Sequence, residues 1–342
     1  MQAVTTIGLD IAKSVFQVHG IDATGEVVLR RRLTRARLVP FFAKLAPCLV
    51  GIEACASAHH WGRELRKLGH DARLMPPSYV KPYVKRQKND MADAEAICEA
   101  VSRPTMRFVE VKTPEQQSVM VLHRTRVMLM RQRIQLSNAI RGHLAEFGLV
   151  APVGRMGLQT LINILFDETD GRVPTEARHC LQMLADQLRL ANAQILKNDR
   201  QIRTSARATD VGRRLMGIPG VGPVLASAFV ASVPDPAMFK SGRNLAAWIG
   251  LVPRQNSSGG KERLGGITKQ GNRYLRQMLV IGSLAVIRYA ERNGTRRPWL
   301  VKLMARRATK VAAVALANKT ARMVWAIMTS GQRYREPELR AA

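Results

Sequence analysis

Four carboxylates and one serine are the residues whose types and spacing could do chemistry. Asp10 lies in Thr6-Ile7-Gly8-Leu9-Asp10-Ile11. This alternating segment reads as a strand, with Gly8 and Asp10 on the face opposite Ile7, Leu9 and Ile11. A carboxylate placed mid-strand loses hydration unless it has a partner. Glu53 closes the apolar run Leu49-Val50-Gly51-Ile52-Glu53. That is the carboxyl end of a strand, where α/β sheets place function. Asp90 and Asp93 stand three apart at the start of a helix, so they share a face and sit at the positive end of its dipole. Hard oxygen donors from separate elements are what Mg²⁺ takes, with Mn²⁺ as the alternative. Such ions polarise a phosphate, generate an attacking oxygen and stabilise the leaving one. Each residue also has an ordinary reading. Asp10 could end a strand in a turn, Asp90 and Asp93 could cap a helix, and Glu53 could pair with an arginine.

Two other motifs carry weaker signals. Gly217-Ile-Pro-Gly220-Val-Gly222 follows a basic apolar stretch and precedes a helix over 223–233, which looks like a helix-hairpin-helix. Gly217, Gly220 and Gly222 would let the backbone approach a phosphate beside free helix N–H groups. A tight turn between packed helices is the alternative. Ser257-Ser258-Gly259-Gly260 lies in a basic stretch over 254–263 that reads as a flexible loop. No base stands beside either serine to activate it. Arg254, Lys261, Arg263, Lys269 and Arg273 are candidate phosphate contacts, with a merely solvated basic face as the alternative.

The elements that must position these residues fall into three segments. Residues 1–112 read as an α/β domain. Strands are expected at Thr6–Ile11, Val15–Ile21, 26–33, Leu49–Glu53 and Asp71–Met75, and helices at 38–45, 61–68 and 89–101. Residues 113–208 read as two long helices around a connector at 150–174. Val121, Met128 and Gln135 recur seven apart, as do Leu181, Leu188, Ile195 and Ile202. A coiled coil and a packed bundle both fit that spacing. Residues 209–332 read as mainly helical, with helices over 272–291 and 299–328, followed by a polar tail at 333–342.

Composition limits the partners. Lys plus Arg number 54 against 25 Asp plus Glu, a net charge of +29 over 342 residues. A polyanion that releases counterions on binding accounts for this most simply. The basic residues form no juxtamembrane block, and the apolar stretches are interrupted by Arg288, Lys319 and Arg322, so no membrane span is expected. The N-terminus shows no signal segment, and a cytoplasmic, nucleoid-associated protein is expected. Cys48, Cys55, Cys98 and Cys180 are scattered, and His59 and His60 have no second cluster, so a zinc site is not expected.

Gly8-Leu9-Asp10-Ile11-Ala12-Lys13, Gly51-Ile52-Glu53-Ala54-Cys55 and Lys88-Asn89-Asp90-Met91-Ala92-Asp93-Ala94, with the run at 76–83, resemble the RuvC-like (RNase H-like) domain of the DEDD insertion-sequence transposases. These form the IS110 family with its IS1111 branch. Cys55-Ala56 stands where some relatives have Thr-Gly. The resemblance implies that Asp10, Glu53, Asp90 and Asp93 bind the metal. The stretch from Gly250-Leu-Val-Pro-Arg254 through Ser258-Gly259 to Lys269-Gln-Gly-Asn272 resembles the family's C-terminal transposase domain. There the serine before the glycine forms a covalent link to DNA; Ser258 matches, and Ser257 is the near alternative.

The expectation is therefore an insertion-sequence transposase. Its partners by resemblance are double-stranded DNA at element ends and target, a structured guide RNA, and further copies of itself in a dimer or tetramer. Relatives pair the two domains from different subunits. A RuvC-like Holliday-junction or DNA endonuclease using water is the first rival. A non-catalytic nucleic-acid-binding scaffold is the second.

Overall fold

Alternating apolar residues build the N-terminal sheet. Its elements are β1 (Thr6–Ile11), β2 (Val15–Ile21), β3 (Val27–Thr34), α1 (Leu38–Phe42), β4 (Leu49–Glu53), α2 (Ala58–Lys67), β5 (Asp71–Met75), α3 (Pro77–Val80) and α4 (Asp90–Val101). They were obtained in a computed structural model that describes residues 3–85, 89–295 and 297–336. Lys88, at the head of the last acidic motif, and tail residues 337–342 lie outside the described residues. The chain divides into two units, residues 1–115 and 116–342.

In the first unit the strand order is β3-β2-β1-β4-β5. The first three strands are antiparallel, and β1, β4 and β5 run parallel. This mixed sheet is consistent with a RuvC-like fold. Ile7, Leu9, Phe16, Val18, Val50, Ile52 and Leu74 form one core with Trp61 and Leu65 of α2. Helix α4 lies on the opposite face, burying Ile97, Ala100 and Val101 with Met75 and Val80. Two glycines seat it. Gly8 and Gly51 are paired across β1 and β4. A Cβ at Gly8 would overlap the Ala94 carbonyl oxygen and the Cys98 amide, and one at Gly51 would stand 2.7 Å from Val101 Cβ.

In the second unit, α5 (Pro114–Glu146) and α7 (Thr175–Ala208) are the two long helices. The 150–174 segment is more than a connector, since it contains α6 (Arg155–Leu165). Leu161, Ile162 and Leu165 dock between Ile140 and Leu144 of α5 and Leu181 and Leu188 of α7. Tertiary packing makes this short helix worth forming. Leu181, Leu188, Ile195 and Ile202 are buried, whereas Val121 and Met128 on α5 are 56% and 59% exposed. Arg126 of α5 pairs with Asp199 of α7 at 2.6 Å.

The rest of this unit comprises α8 (Asp210–Leu215), α9 (Pro223–Ser232), α10 (Gly242–Ile249), the hairpin strands β6 (Pro253–Gln255) and β7 (Leu264–Ile267), α11 (Arg273–Asn293), α12 (Pro298–Arg306) and α13 (Thr309–Ser330). The single helix expected over 299–328 is two. Arg307 and Ala308 adopt extended backbone between them, and the bend lets Leu300 and Leu303 join Ile287, Ala312 and Leu316 in a small separate core. Helix α13 has the length and composition of a membrane span. It buries Ala317, Ala321 and Val324 in the main core of this unit, with Leu215, Phe229, Leu245 and Leu275. His123 of α5 is buried between Tyr274 Oη of α11 (3.0 Å) and Ser227 Oγ of α9 (3.1 Å). Burial pushes its pKa down to about 4, so the ring is a neutral bridge between three helices.

The glycine seat gives a stability test. Gly8→Ala must push backbone rather than a flexible side chain, so it should cost about 3 kcal/mol or more. Gly142 in α5 has open space around it, and Gly142→Ala should instead stabilise by about 0.5–1 kcal/mol. Urea unfolding midpoints check both signs.

Candidate functional site

The sheet and α4 bring the predicted acids of the first unit together. Asp10 lies one residue before the end of β1 on the Gly8 face, two residues beyond the contact with α4. Glu53 ends β4 on the Gly51 face, and the parallel register Gly8↔Gly51, Leu9↔Ile52 carries it to the position beside Asp10. Helix α4 starts where its cap allows, with Asn89 Oδ1 accepting the Ala92 amide at 2.8 Å. Asp90 and Asp93 then occupy the first turn. Asp90 is exposed, whereas Asp10, Glu53 and Asp93 are half-buried.

Electrostatics reports this grouping. Burial, and then the charges of Asp93, Asp90 and Glu53, push the Asp10 carboxyl up to about 6. Among the described residues, no three His, Cys, Asp or Glu side chains form a ready-made metal cage. The two facts are compatible, because charge acts over longer distances than ligation. The donor set fits a hard divalent cation, which would relieve the repulsion that Asp10 feels.

Sequence reasoning missed the neighbours on β2. Gln17 pairs with Asp10, and His19 pairs with Gly8. With Arg30 of β3 and Glu95 of α4 they line a cleft at the helix start, and Lys85 closes on Glu95 at 2.5 Å. Alternation on β2 could have shown Gln17 and His19 sharing a face. Which strand lay beside β1 was the missing information.

In the second unit the serine stretch is not a flexible loop. It is a tight β-hairpin, with Asn256 N donating to Arg263 O at 2.9 Å and Lys261 N to Ser258 O at 3.1 Å. Gly259 and Gly260 have φ of 56° and 73°. Positive φ at both central residues is the two-residue turn whose twist suits a hairpin, and glycine takes it without strain. Ser257 Oγ accepts the Arg263 amide at 3.1 Å, so its hydroxyl is tied into the hairpin. Ser258 stands exposed immediately before the turn.

The hairpin base is held backbone to backbone. A Cβ at Gly271 would overlap the Trp248 carbonyl oxygen, and one at Gly250 the Gln270 carbonyl oxygen. Arg276 Nη1 donates to Ile249 O (2.6 Å) and Gln270 O (2.9 Å). Asn272 Oδ1 accepts the Leu275 amide to start α11. The motif blocks at 250–254 and 269–272 are thus the two feet of one hairpin.

The DEDD transposase model of the IS110 group matches residues 7–148, and the model described as "Transposase IS116/IS110/IS902 family" matches residues 212–297. A probable family 20 transposase of Pseudomonas aeruginosa is 49% identical, over 96% of this chain and 98% of the relative. The transposase for insertion sequence element IS1111A of Coxiella burnetii is 42% identical, over 98% and 92%. The transposase for element IS1328 of Yersinia enterocolitica is 37% identical, over 97% and 98%.

The chain belongs to the IS116/IS110/IS902 family of insertion-sequence transposases.

The other predicted residues of this transposase are dispersed over the second unit. Gly217, Gly220 and Gly222 do form a turn between α8 and α9. Gly220 is pressed against Gly282 of α11, where a Cβ would stand 2.8 Å from its carbonyl oxygen, whereas Gly222 at the start of α9 faces open space. Packing therefore accounts for Gly220. Arg254, Lys261 and Arg263 are exposed on the hairpin, and Lys269 and Arg273 are exposed beyond it.

Two outcomes follow. An acid whose pKa is raised on folding loses native stability as pH rises from about 4 to about 6. Asp10→Asn should therefore stabilise the metal-free protein at pH 7.5, by roughly 1–2 kcal/mol once partial exposure is discounted. The gain should vanish near pH 4, as thermal unfolding at the two pH values would show. Gly271→Ala should cost about 2–4 kcal/mol and loosen the hairpin, seen as faster hydrogen exchange of the Lys261 amide.

Proposed function

We propose that this transposase cuts and rejoins DNA at its element ends and at a target through a covalent Ser258–DNA phosphate link. In this reading Asp10, Glu53, Asp90 and Asp93 hold Mg²⁺ or Mn²⁺. The observation that carries it is the grouping of four acids at the carboxyl ends of parallel strands, where burial first, and then the charges of Asp93, Asp90 and Glu53, raise the pKa of Asp10. A bound divalent ion would supply charge neutralisation at a phosphate oxygen. Ser258 is preferred to Ser257 because the Ser257 hydroxyl already serves the hairpin.

In the proposed reaction Ser258 Oγ loses its proton and bonds to phosphorus, while the bond to the departing sugar oxygen breaks and that oxygen takes up a proton. One phosphate ester is made for each one broken, so rejoining needs no external energy. Arg254, Lys261, Arg263, Lys269 and Arg273 would hold the DNA backbone, and the open start of α9 at Gly222 offers another phosphate contact. The net charge of +29 supports polyanionic partners: DNA and, by family resemblance, a structured guide RNA. The exposed apolar residues Val121 and Met128 on α5 support a homo-oligomer, a dimer or tetramer. The proposed division is a catalytic α/β domain over 1–112, a helical dimerisation region over 113–208, a transposase domain over 209–332 and a tail over 333–342.

Incubating the protein with element-end DNA, candidate guide RNA and Mg²⁺ should give a denaturation-resistant protein–DNA adduct. Ser258→Ala should abolish it, and Asp10→Asn should slow it by roughly 100-fold or more. An adduct in Ser258→Ala would refute the nucleophile. Cleavage without any adduct would indicate a water-using nuclease, and indifference to both Mg²⁺ and Asp10→Asn would indicate a scaffold.

A further inference from the structure

An open groove of about 1050 Å³ runs between the hairpin base and helices α12 and α13. Gly265 and Gly266 of β7 line one wall beside the apolar side chains of Leu251, Pro253 and Ile267. Lys310, Lys319 and Arg322 of α13 line the other, and Trp299 of α12 lies between them. Among the described residues no acid lines the groove. Among the described residues none of these three cations forms an ion pair. Trp299 is 38% exposed, and Lys319 Nζ lies 4.5 Å from its ring centre.

An exposed indole beside cations that form no ion pair, in a largely apolar groove, suits one kind of ligand. An unstacked nucleobase offers a π face to the tryptophan, and its phosphates offer charge to the lysines and arginine. A base paired inside a duplex cannot reach such a ring. We infer that this groove binds one unpaired nucleotide of a DNA strand, with its base against Trp299 and its phosphate beside Lys319 and Arg322.

The hairpin argues for DNA as the occupant. The Gln255↔Leu264 pair at the groove end and the Ser258↔Lys261 pair near the tip are three residues apart. At about 3.3 Å per residue that is about 10 Å, a span that a few nucleotides of one strand cover. A strand whose phosphate reached Ser258 would thus carry a nearby base to the groove. This rests on the reading of Ser258 as the residue that attacks DNA, so the test is built to fail separately from it.

The test uses the full chain carrying Ser258→Ala, in EDTA, where no cleavage chemistry can occur. Binding of a 12-nucleotide single strand of DNA is compared with the same sequence as duplex and as RNA, for Trp299, Trp299→Phe and Trp299→Ala. The inference expects Trp299→Ala to weaken single-stranded DNA binding by about 5- to 100-fold. It expects Trp299→Phe to keep most of the affinity and duplex binding to change little. Moving one abasic position along the strand should reproduce the loss at a single position, and that loss should be absent in Trp299→Ala. Equal affinities in all three proteins, a loss that ignores the abasic position, or a loss confined to RNA would overturn it. Trp299→Phe together with the abasic scan keeps the test decisive if Trp299→Ala folds poorly.

Discussion

The seating of α4 on β1 and β4 through Gly8 and Gly51 is the contact on which the acidic site depends. Asp10 and Glu53 sit on the sheet, and Asp90 and Asp93 on the helix. Burial first, and then repulsion from Asp93, Asp90 and Glu53, raises the pKa of Asp10. Something must hold the helix down against that repulsion. Helix α4 buries Ile97 and Val101 fully, with Ala94, Ala96 and Ala100. At about 1.5–3 kcal/mol for each large side chain, this burial exceeds the cost of roughly 1–2 kcal/mol at Asp10. The packing outweighs that cost, and the acids stay grouped. The same closeness makes the site intolerant of any side chain at Gly8.

The second unit uses the same device for a different purpose. Gly250 and Gly271 let two backbone segments touch at the hairpin base, and Arg276 bonds to the carbonyls of both. Main-chain contact of this kind leaves little freedom for the feet of the hairpin. The positive-φ glycine pair fixes the other end. His123 adds a neutral polar bridge that fixes α11, the helix that follows the hairpin, to α5 and α9.

Much of this was legible in the residues. Strand alternation placed Asp10 and Gly8 on one face, and the spacing of Asp90 and Asp93 placed them together at a helix start. The stripe of Leu181, Leu188, Ile195 and Ile202 faces the interior, as heptad spacing suggests. What escaped was set by tertiary partners. Helix α6 exists because α5 and α7 give it a surface to cover. The break at Arg307 and Ala308 exists because Leu300 and Leu303 have a core to join, and no glycine or proline marks it. Gln17 and His19 enter the acidic site through strand pairing, which a single sequence does not state. Gly220 suggested phosphate contact because a helix-packing glycine and a phosphate-binding one look alike without the neighbouring helix.

The serine hairpin shows how one local rule reverses a reading. Ser-Ser-Gly-Gly read as composition is a linker, since glycine and serine cost much entropy to order. Read with Lys261 pairing back to Ser258, the two glycines are a turn, and Ser258 is fixed opposite Lys261. A nucleophile on a mobile linker would have to be ordered at each encounter, and that cost would fall on the barrier. On a two-residue turn the ordering is done when the protein folds. The hairpin also separates two adjacent, chemically identical hydroxyls, since one bonds inward to the Arg263 amide and the other faces solvent. Position on the turn, rather than residue type, is what favours Ser258 over Ser257 in the proposed reaction.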